Sequence, residues 1–199
     1  MQRYYAVQSM VYDATRWAYL FGRNRVVSLI PGVVHAPCSI LEVGCGTGFT
    51  SRALARRFPQ ATIVAYDASS HMVERARRAV ASFGSRVQIR HAVYDGNGTQ
   101  DGKYDVALLS YSLSMMHPHE SDVIRNVYND LRPGGFIALV DFESTRWSTF
   151  RTVMKANHVR MDGFLMPLLE ESFMTVVQER RTAFGGWWDY LVYIGQKEQ

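Results

Sequence analysis

The sequence is poor in cysteine and has no long apolar run. Two cysteines among 199 residues, Cys38 and Cys45, are too few for a disulfide scaffold or a zinc cluster, so we expect a reducing compartment. No stretch reaches the roughly 20 apolar residues of a membrane-spanning helix, and MQRYYAVQ lacks the apolar core of a secretory signal. These shortages argue against a disulfide-rich secreted protein and a membrane-spanning one. The expected location is the cytoplasm.

Charge of either sign is also modest. The formal net charge is +4, and 47% hydrophobic residues beside 20% charged residues are typical of one globular domain with a sizeable core. An excess of this size fits either an affinity for anionic surfaces or a well-solvated exterior. The net charge alone therefore does not identify a binding partner.

Strands and helices alternate between residues 38 and 142. Short apolar runs that end in glycine or aspartate predict buried strands, and segments with helical periodicity lie between them. The predicted strands are 39–43, 61–66, 86–90, 104–109 and 136–141, and the predicted helices are 49–58, 69–82 and 120–131. Such alternation predicts a parallel sheet with right-handed helical crossovers.

The two ends of the chain depart from this alternation. Residues 3–30 combine apolar positions at helical spacing with many aromatic residues, and Pro31–Gly32 ends the segment. At the other end, the β-rich runs 173–184 and 187–195 flank Gly185–Gly186 and predict an antiparallel hairpin. We therefore predict a single α/β domain, 1–199, with a helical lid (1–32), a ligand-binding core (38–142) and a substrate-side helix with a C-terminal hairpin (143–199).

The segment Leu41–Gly48, LEVGCGTG, is the most informative part of the chain. It follows a strand and opens a helix, where glycines let the backbone turn sharply and approach a ligand. Its spacing is G-x-G-x-G, and Phe49 stands where a dinucleotide fingerprint has its third glycine. Glu42 favours a cationic ligand over a pyrophosphate. The segment predicts a ligand loop made by Glu42, Gly44, Cys45, Gly46 and Gly48, and the alternative is an ordinary tight turn.

Asp67 ends the second predicted strand about 20 residues after the glycine loop. A carboxylate there can accept both hydroxyls of a ribose, although Asp67 alone could equally cap the next helix. We assign Ala68 to the same subsite. Met72 either packs on an adenine or belongs to the core, and Asp95 either binds the adenine amino group or forms a plain Asp-Gly turn.

These segments resemble class I S-adenosylmethionine-dependent methyltransferases, a Rossmann-like fold with a mostly parallel seven-stranded sheet. LEVGCGTG, Tyr66–Asp67 and the LRPGG of 131–135 carry this resemblance. The segments YDATR (12–16), LFGR (20–23), SYSLSM (110–115) and VDF (140–142) resemble bacterial betaine-lipid N-methyltransferases, which are similar to phosphatidylethanolamine N-methyltransferases. His117–Pro118–His119 departs from that narrower pattern. The resemblance implies S-adenosyl-L-methionine as cofactor and the amine of a membrane lipid headgroup as acceptor.

The acceptor side is expected to involve the lid and the loop after the fourth strand. Ser110 and Tyr111 would lie beside the transferred methyl group, with Ser110 also on the cofactor side. Tyr12 would bind the cofactor carboxylate or place its ring against a cationic headgroup, unless the lid aromatics merely pack. His158 would assist proton loss from an ammonium substrate, a role implied by the resemblance. We expect no metal, because histidines flanking Pro118 are typical of an exposed turn.

Four functions remain to be compared. The leading hypothesis is a lipid-amine N-methyltransferase in peripheral contact with an anionic membrane on the cytoplasmic face, with no nucleic-acid partner. The second is a soluble small-molecule N- or O-methyltransferase. An NAD-dependent oxidoreductase is disfavoured by Phe49 and by the C-terminal hairpin, and a catalytically silent binding module of the same fold is the non-enzyme alternative.

Overall fold

The computed structural model describes residues 20–96 and 104–198. The strands are β1 (Ser39–Val43), β2 (Thr62–Asp67), β3 (Val87–His91), β4 (Tyr104–Ser110), β5 (Leu131–Ser144), β6 (Met174–Ala183) and β7 (Trp188–Gln196). The helices are α1 (Arg23–Leu29), α2 (Phe49–Arg57), α3 (Ser70–Val80), α4 (Glu120–Asp130), α5 (Ser148–Ala156) and α6 (Leu165–Glu170). Most of the predicted lid, including Tyr12, lies outside the described residues.

The described strands form one seven-stranded sheet in the order β3-β2-β1-β4-β5-β7-β6. The first five strands in this order are parallel to one another, whereas β7 pairs antiparallel with both β5 and β6. The strand order reverses at β1 and β4, and ligands of open α/β sheets bind at the carboxyl ends of strands beside such a switch. The predicted fold class, a mostly parallel sheet finished by an antiparallel hairpin, is confirmed.

The core has two layers because side chains alternate along each strand. On β1, Ile40 packs with Val26 of α1 and Leu54 of α2 on one face of the sheet. The next residue, Leu41, points to the other face and packs with Ile124 of α4 and Leu169 of α6. Helices on both faces explain why β1 and β4 read as nearly continuous apolar runs.

The structure differs from the predicted elements mainly where a turn interrupts a pattern. β5 begins at Leu131, which pairs with Tyr104, and the register then shifts before Phe136 pairs with Val106. The prediction began this strand at residue 136 because Pro133 and Gly134 usually interrupt a strand. In the structure these residues form an irregular stretch inside β5, so the strand is longer than predicted. The part of the lid that is described contains α1 and a 3-10 turn at Ile30–Gly32. No helix within 20–96 or 104–198 is long and apolar enough to cross a membrane.

Candidate functional site

The loop between β1 and α2 is held in a shape that two of its glycines make possible. Gly44 and Cys45 both donate their backbone N–H to the carbonyl of Tyr66, each over 2.9 Å. Gly44 has a φ of +75°, and a Cβ there would lie 2.4 Å from the Cβ of Ser112. Gly48 has a φ of +78°, and its Cβ would lie 3.0 Å from the Cα of Ala76 on α3. Both glycines are therefore required by close packing.

Gly46 differs from these two glycines because it faces open space. Its φ is +55°, but a Cβ built on it meets no atom within 4 Å. Its N–H donates to the Asp67 carboxylate at the end of β2, over 2.7 Å. The other Asp67 oxygen accepts the N–H of Ser69 over 2.9 Å. The N-cap of α3 is Ser69, which accepts the N–H of Met72, so Asp67 does not cap that helix.

Beyond this loop lies a cavity of about 510 Å³ at the carboxyl ends of the strands. That volume is ordinary for a site that holds a cofactor-sized molecule. Eight of the residues predicted from the sequence line it together: Gly44, Cys45, Gly46, Asp67, Ala68, Met72, Ser110 and Tyr111. A second cavity of about 710 Å³ shares Gly44, Asp67 and Ala68 with the first, and it adds Asp95, His117 and His119.

Other predicted residues lie away from both cavity walls. Gly48 serves the contact between α2 and α3 described above. His158 is exposed just beyond the C-terminal end of α5, with a φ of +60°, and lines neither cavity. The structure therefore does not bring His158 together with the other candidates. Among the residues described, no group of three or more His, Cys, Asp or Glu could hold a metal ion.

Glu42 is buried behind the glycine loop, where burial makes its charged form unfavourable. Ser51 donates its hydroxyl to one carboxylate oxygen, while the other, Oε1, is buried with no hydrogen-bond partner among the described residues. Burial raises the pKa of Glu42 to about 8, and Asp67 adds to this rise, whereas the Ser51 hydrogen bond and Arg23 oppose it. A buried carboxylate with one oxygen left without a described donor would be stabilised by a cationic ligand nearby.

The loop after β4 forms the other wall of the cavity. The Ser110 hydroxyl is buried and has no hydrogen-bond partner among the described residues. Ser112 donates to the carbonyl of Val43 over 2.7 Å, which ties this loop to the end of β1. The buried Asp141 of β5 accepts both the N–H and the hydroxyl of Ser114, over 3.0 and 2.6 Å. Burial raises the pKa of Asp141 to about 6.

Tyr111, expected on the catalytic side, is used differently in this structure. Its hydroxyl donates to the carbonyl of Phe21 over 2.7 Å, and its ring packs edge-on against Phe142. Burial raises the pKa of the Tyr111 phenol, so it stays protonated at neutral pH. In the described structure this hydrogen bond links the lid to the cavity wall. The Phe21 carbonyl is the one described acceptor of the Tyr111 hydroxyl.

Arg23 is the main cavity residue that the sequence did not reveal. It lies at the start of α1, its guanidinium is 4.1 Å from the centroid of the Phe49 ring, and its Nε donates to the carbonyl of Leu20 over 3.3 Å. It lines the cavity and is close enough to Glu42 to affect the pKa of that carboxyl. The available signals were its place in the aromatic lid segment and in the LFGR (20–23) segment that resembles lipid N-methyltransferases. Arg75 of α3 also lines the cavity and was not predicted.

The residues of the cavity fit S-adenosylmethionine by their chemistry. Asp67 keeps a free lone pair on each oxygen after accepting two backbone N–H groups, which suits two ribose hydroxyls. Glu42 would offer a negative charge behind the loop once a cationic ligand favours its ionised form, and Arg23 offers a cation for a carboxylate. The open space at Gly46 is where a ligand could approach the backbone.

Comparison with known proteins agrees with this geometry. The family model described as Methyltransferase domain matches residues 40–135. The chain is 25% identical over 130 residues to a carboxy-S-adenosyl-L-methionine synthase of Hydrogenovibrio crunogenus, covering 63% of this chain and 52% of that protein. It is 30% identical over 114 residues to a trans-aconitate 2-methyltransferase of Deinococcus radiodurans, covering 56% and 40%. The aligned region thus spans about half the length of these relatives or less.

A solved structure extends the likeness to the whole fold. The 1,6-didemethyltoxoflavin-N1-methyltransferase of Burkholderia thailandensis, crystallised with 1,6-didemethyltoxoflavin and S-adenosylhomocysteine, superposes with a TM-score of 0.73 at 18% identity. The match covers 100% of this chain and 90% of that one. Residues 40–135 therefore match a methyltransferase domain, and the chain has the fold of this S-adenosylhomocysteine-bound methyltransferase.

Proposed function

We propose that this chain transfers a methyl group from S-adenosylmethionine to an amine nitrogen carried on a membrane lipid headgroup of the betaine-lipid or phosphatidylethanolamine type. One observation carries the methyl-transfer part. The glycine loop, Asp67 and the loop after β4, predicted independently from the sequence, line the same cavity. The acceptor assignment rests on the resemblance of the lid and the β4 loop to lipid N-methyltransferases.

The chain's own residues would hold the cofactor through complementary charge. Asp67 would accept the ribose hydroxyls, Arg23 would pair with the carboxylate, and Glu42 would stabilise the positive end of the methionine moiety. Met72 lines the cavity one turn into α3 and would pack on the adenine, with Asp95 in the adjoining cavity near the adenine amino group. When bound, S-adenosylmethionine supplies a methyl group already activated by its positively charged sulfur.

The protein's contribution to the reaction is then mainly placement. Proximity and orientation can supply roughly 7–11 kcal/mol when donor and acceptor are held in line. Ser110 has a buried hydroxyl without a described partner at the cavity wall, so it is suited to position the acceptor. Tyr111 and the lid would limit the access of water. No histidine among the described residues lines the first cavity, so the amine would reach it already neutral or lose its proton to water.

The second candidate function is methylation of a small soluble molecule. The Deinococcus relative is described as a methyltransferase of trans-aconitate, and the Burkholderia enzyme as an N1-methyltransferase of 1,6-didemethyltoxoflavin, both small molecules. The two candidates share the cofactor site and differ only in the acceptor. Nothing in the cavity lining distinguishes a free amine from one on a lipid.

An assay with S-adenosylmethionine labelled in its methyl group tests both candidates. The chain is incubated with extracted bacterial lipids in one reaction and with soluble amines of the same headgroups in another. We expect label in the lipid fraction, and Asp67→Ala should lose most of it. Label only in the soluble amines would replace the lipid acceptor by the second candidate. No transfer to any acceptor, despite binding of the cofactor, would contradict the proposed activity.

A further inference from the structure

Three exposed aromatic side chains gather where the β6–β7 turn meets α5. Trp147, Phe184 and Trp187 are 48%, 54% and 56% exposed. The rings of Trp147 and Trp187 lie 6.5 Å apart, and Phe184 packs 5.2 Å from Trp188, which follows Trp187 in the chain. We call Trp147, Phe184 and Trp187 the aromatic face. Large exposed aromatic groups of this kind mark interaction sites.

The aromatic face borders the lid and the cavity. Phe21 packs edge-on against Phe184 with 5.3 Å between ring centroids, and the carbonyl of Phe21 accepts the Tyr111 hydroxyl. On either side of Phe21, Leu20 and Arg23 line the cavity. A surface that touched the aromatic face would therefore lie next to the lid side of the cavity.

The charge around the aromatic face is positive. Residues 144–156 contain Arg146, Arg151 and Lys155 and no Asp or Glu, and residues 180–188 contain Arg180 and Arg181 and again no carboxylate. Arg180 pairs with Glu143, and Arg181 with Glu179. Arg146, Arg151 and Lys155 form no ion pair with any described carboxylate. Three cations thus have no carboxylate partner within 20–96 and 104–198, and they lie beside three exposed rings.

The arrangement of α5 agrees with contact on this side. No residue of α5 is buried, and the helix is attached by the half-buried Phe150 and Met154. Phe150 stacks on Trp188 at 5.4 Å, while Val153, one turn along, is exposed. Arg146 lies against the Trp147 ring at 5.6 Å, so the cations and the rings share one surface.

We propose that the aromatic face docks on the surface of an anionic phospholipid bilayer. Tryptophan and phenylalanine beside arginine and lysine suit the boundary between headgroups and acyl chains, where rings insert and cations meet lipid phosphates. A second copy bound to this face about a twofold axis would bring the same cations against each other, so the cations among the rings favour an anionic lipid surface over a second copy of the chain. The inference rests on the proposed lipid acceptor, because docking here would place headgroups beside the cavity.

Vesicle flotation with the full chain tests the proposal. The vesicles contain phosphatidylcholine alone or with about one third phosphatidylglycerol. We expect binding to the anionic vesicles only, weakening as salt rises. Arg146→Gln with Lys155→Gln should weaken it by about tenfold or more, since each cation near an anionic surface contributes measurably. Trp147→Gln with Trp187→Gln should weaken it similarly.

Two matched variants serve as controls. Arg56→Gln with Arg57→Gln removes two exposed cations of α2, and Met174→Gln with Val176→Gln removes two exposed apolar side chains elsewhere. Both should bind vesicles like the unchanged chain. Calorimetric affinity for S-adenosylmethionine should be the same in all variants, which shows that each is folded.

Three results would overturn the inference. These are a chain that floats with no vesicle, aromatic-face variants that bind like the controls, and a sedimentation shift from dimer to monomer in those variants, which would assign the face to a second copy. Each leaves methyl transfer intact, since that is measured separately by label in soluble amines. Conversely, a chain that docks through the aromatic face but transfers no methyl group would contradict the proposed function and not the docking.

Discussion

The backbone N–H of Gly46 donates to the carboxylate of Asp67, with 2.7 Å between nitrogen and oxygen. This hydrogen bond joins the loop after β1 to the end of β2, two segments that are 21 residues apart in the sequence. Asp67 therefore holds the loop in place and also lines the cavity. Replacing it should lower both the stability of the fold and the affinity for the cofactor.

Asp67→Ala should weaken S-adenosylmethionine binding by roughly 10- to 100-fold, on the scale of hydrogen bonds to a charged group. It should also lower the free energy of unfolding by about 1–3 kcal/mol, because the half-buried Gly46 N–H loses its acceptor. Calorimetry and denaturant unfolding measure the two effects. Asp67→Asn, which keeps one acceptor oxygen, should lie between. Unchanged affinity per folded molecule in Asp67→Ala would reduce Asp67 to a purely structural residue.

Glu42 should couple cofactor binding to pH. Its pKa of about 8 in the ligand-free chain means that it is mostly protonated at pH 7. A cationic ligand favours the carboxylate, so binding should release a proton, and affinity should rise with pH up to about 8. Titration calorimetry in buffers of different ionisation heats counts the protons. Glu42→Gln should abolish that part of the release, and an equal release in Glu42→Gln would assign it to another group.

The same carboxyl should affect stability in the ligand-free chain. The folded state holds a proton on Glu42 up to about pH 8, whereas the unperturbed pKa of a glutamate carboxyl is 4.5. Between these values the folded state binds more protons than the unfolded state, so the contribution of Glu42 to the free energy of unfolding falls as pH rises. Glu42→Gln should flatten this decline. A stability difference between the two chains that does not change with pH across this window would contradict the assignment.

These residues illustrate what the sequence could predict. The strand–loop–helix at 39–57 and Asp67 were predictable because glycine spacing and apolar runs are local signals. Gly48 was assigned to the ligand, yet it serves the contact with Ala76, which depends on a helix distant in sequence. Tyr111 was expected at the reaction, yet its hydroxyl bonds to the Phe21 carbonyl 90 residues away. Arg23 was missed since only the docking of α1 brings it to the cavity.

Arg23→Gln tests the residue that the sequence did not reveal. We expect about a 10- to 100-fold loss of affinity for S-adenosylmethionine, since a charge-assisted hydrogen bond to its carboxylate would be lost. Decarboxylated S-adenosylmethionine provides the control, because it lacks the group that Arg23 would hold. Both chains should bind this analogue equally. A loss of equal size for both ligands would mean that Arg23 acts through its contact with Phe49 instead.

Asp141→Ala tests the support beneath the β4 loop. Without the carboxylate, the buried N–H and hydroxyl of Ser114 lose their acceptor, and each such group costs about 1–3 kcal/mol. Thermal unfolding should shift to lower temperature, and affinity for S-adenosylmethionine should fall because Ser112 lies on the same loop and Ser110 directly precedes it. Ser114→Ala, which removes only the hydroxyl, should have a smaller effect. A stable Asp141→Ala chain with unchanged affinity would show that the loop is held by other contacts.

The most direct test of the account is a calorimetric titration of three chains with S-adenosylmethionine: the unchanged chain, Gly46→Val and Gly163→Val. Gly46 and Gly163 both have positive φ and open space around an added Cβ, but only Gly46 lines the cavity. Both valine variants carry similar backbone strain. We predict binding by the unchanged chain and by Gly163→Val, and none by a folded Gly46→Val. Equal binding by all three chains, or no binding by the unchanged chain, would contradict the assignment of this cavity to the cofactor.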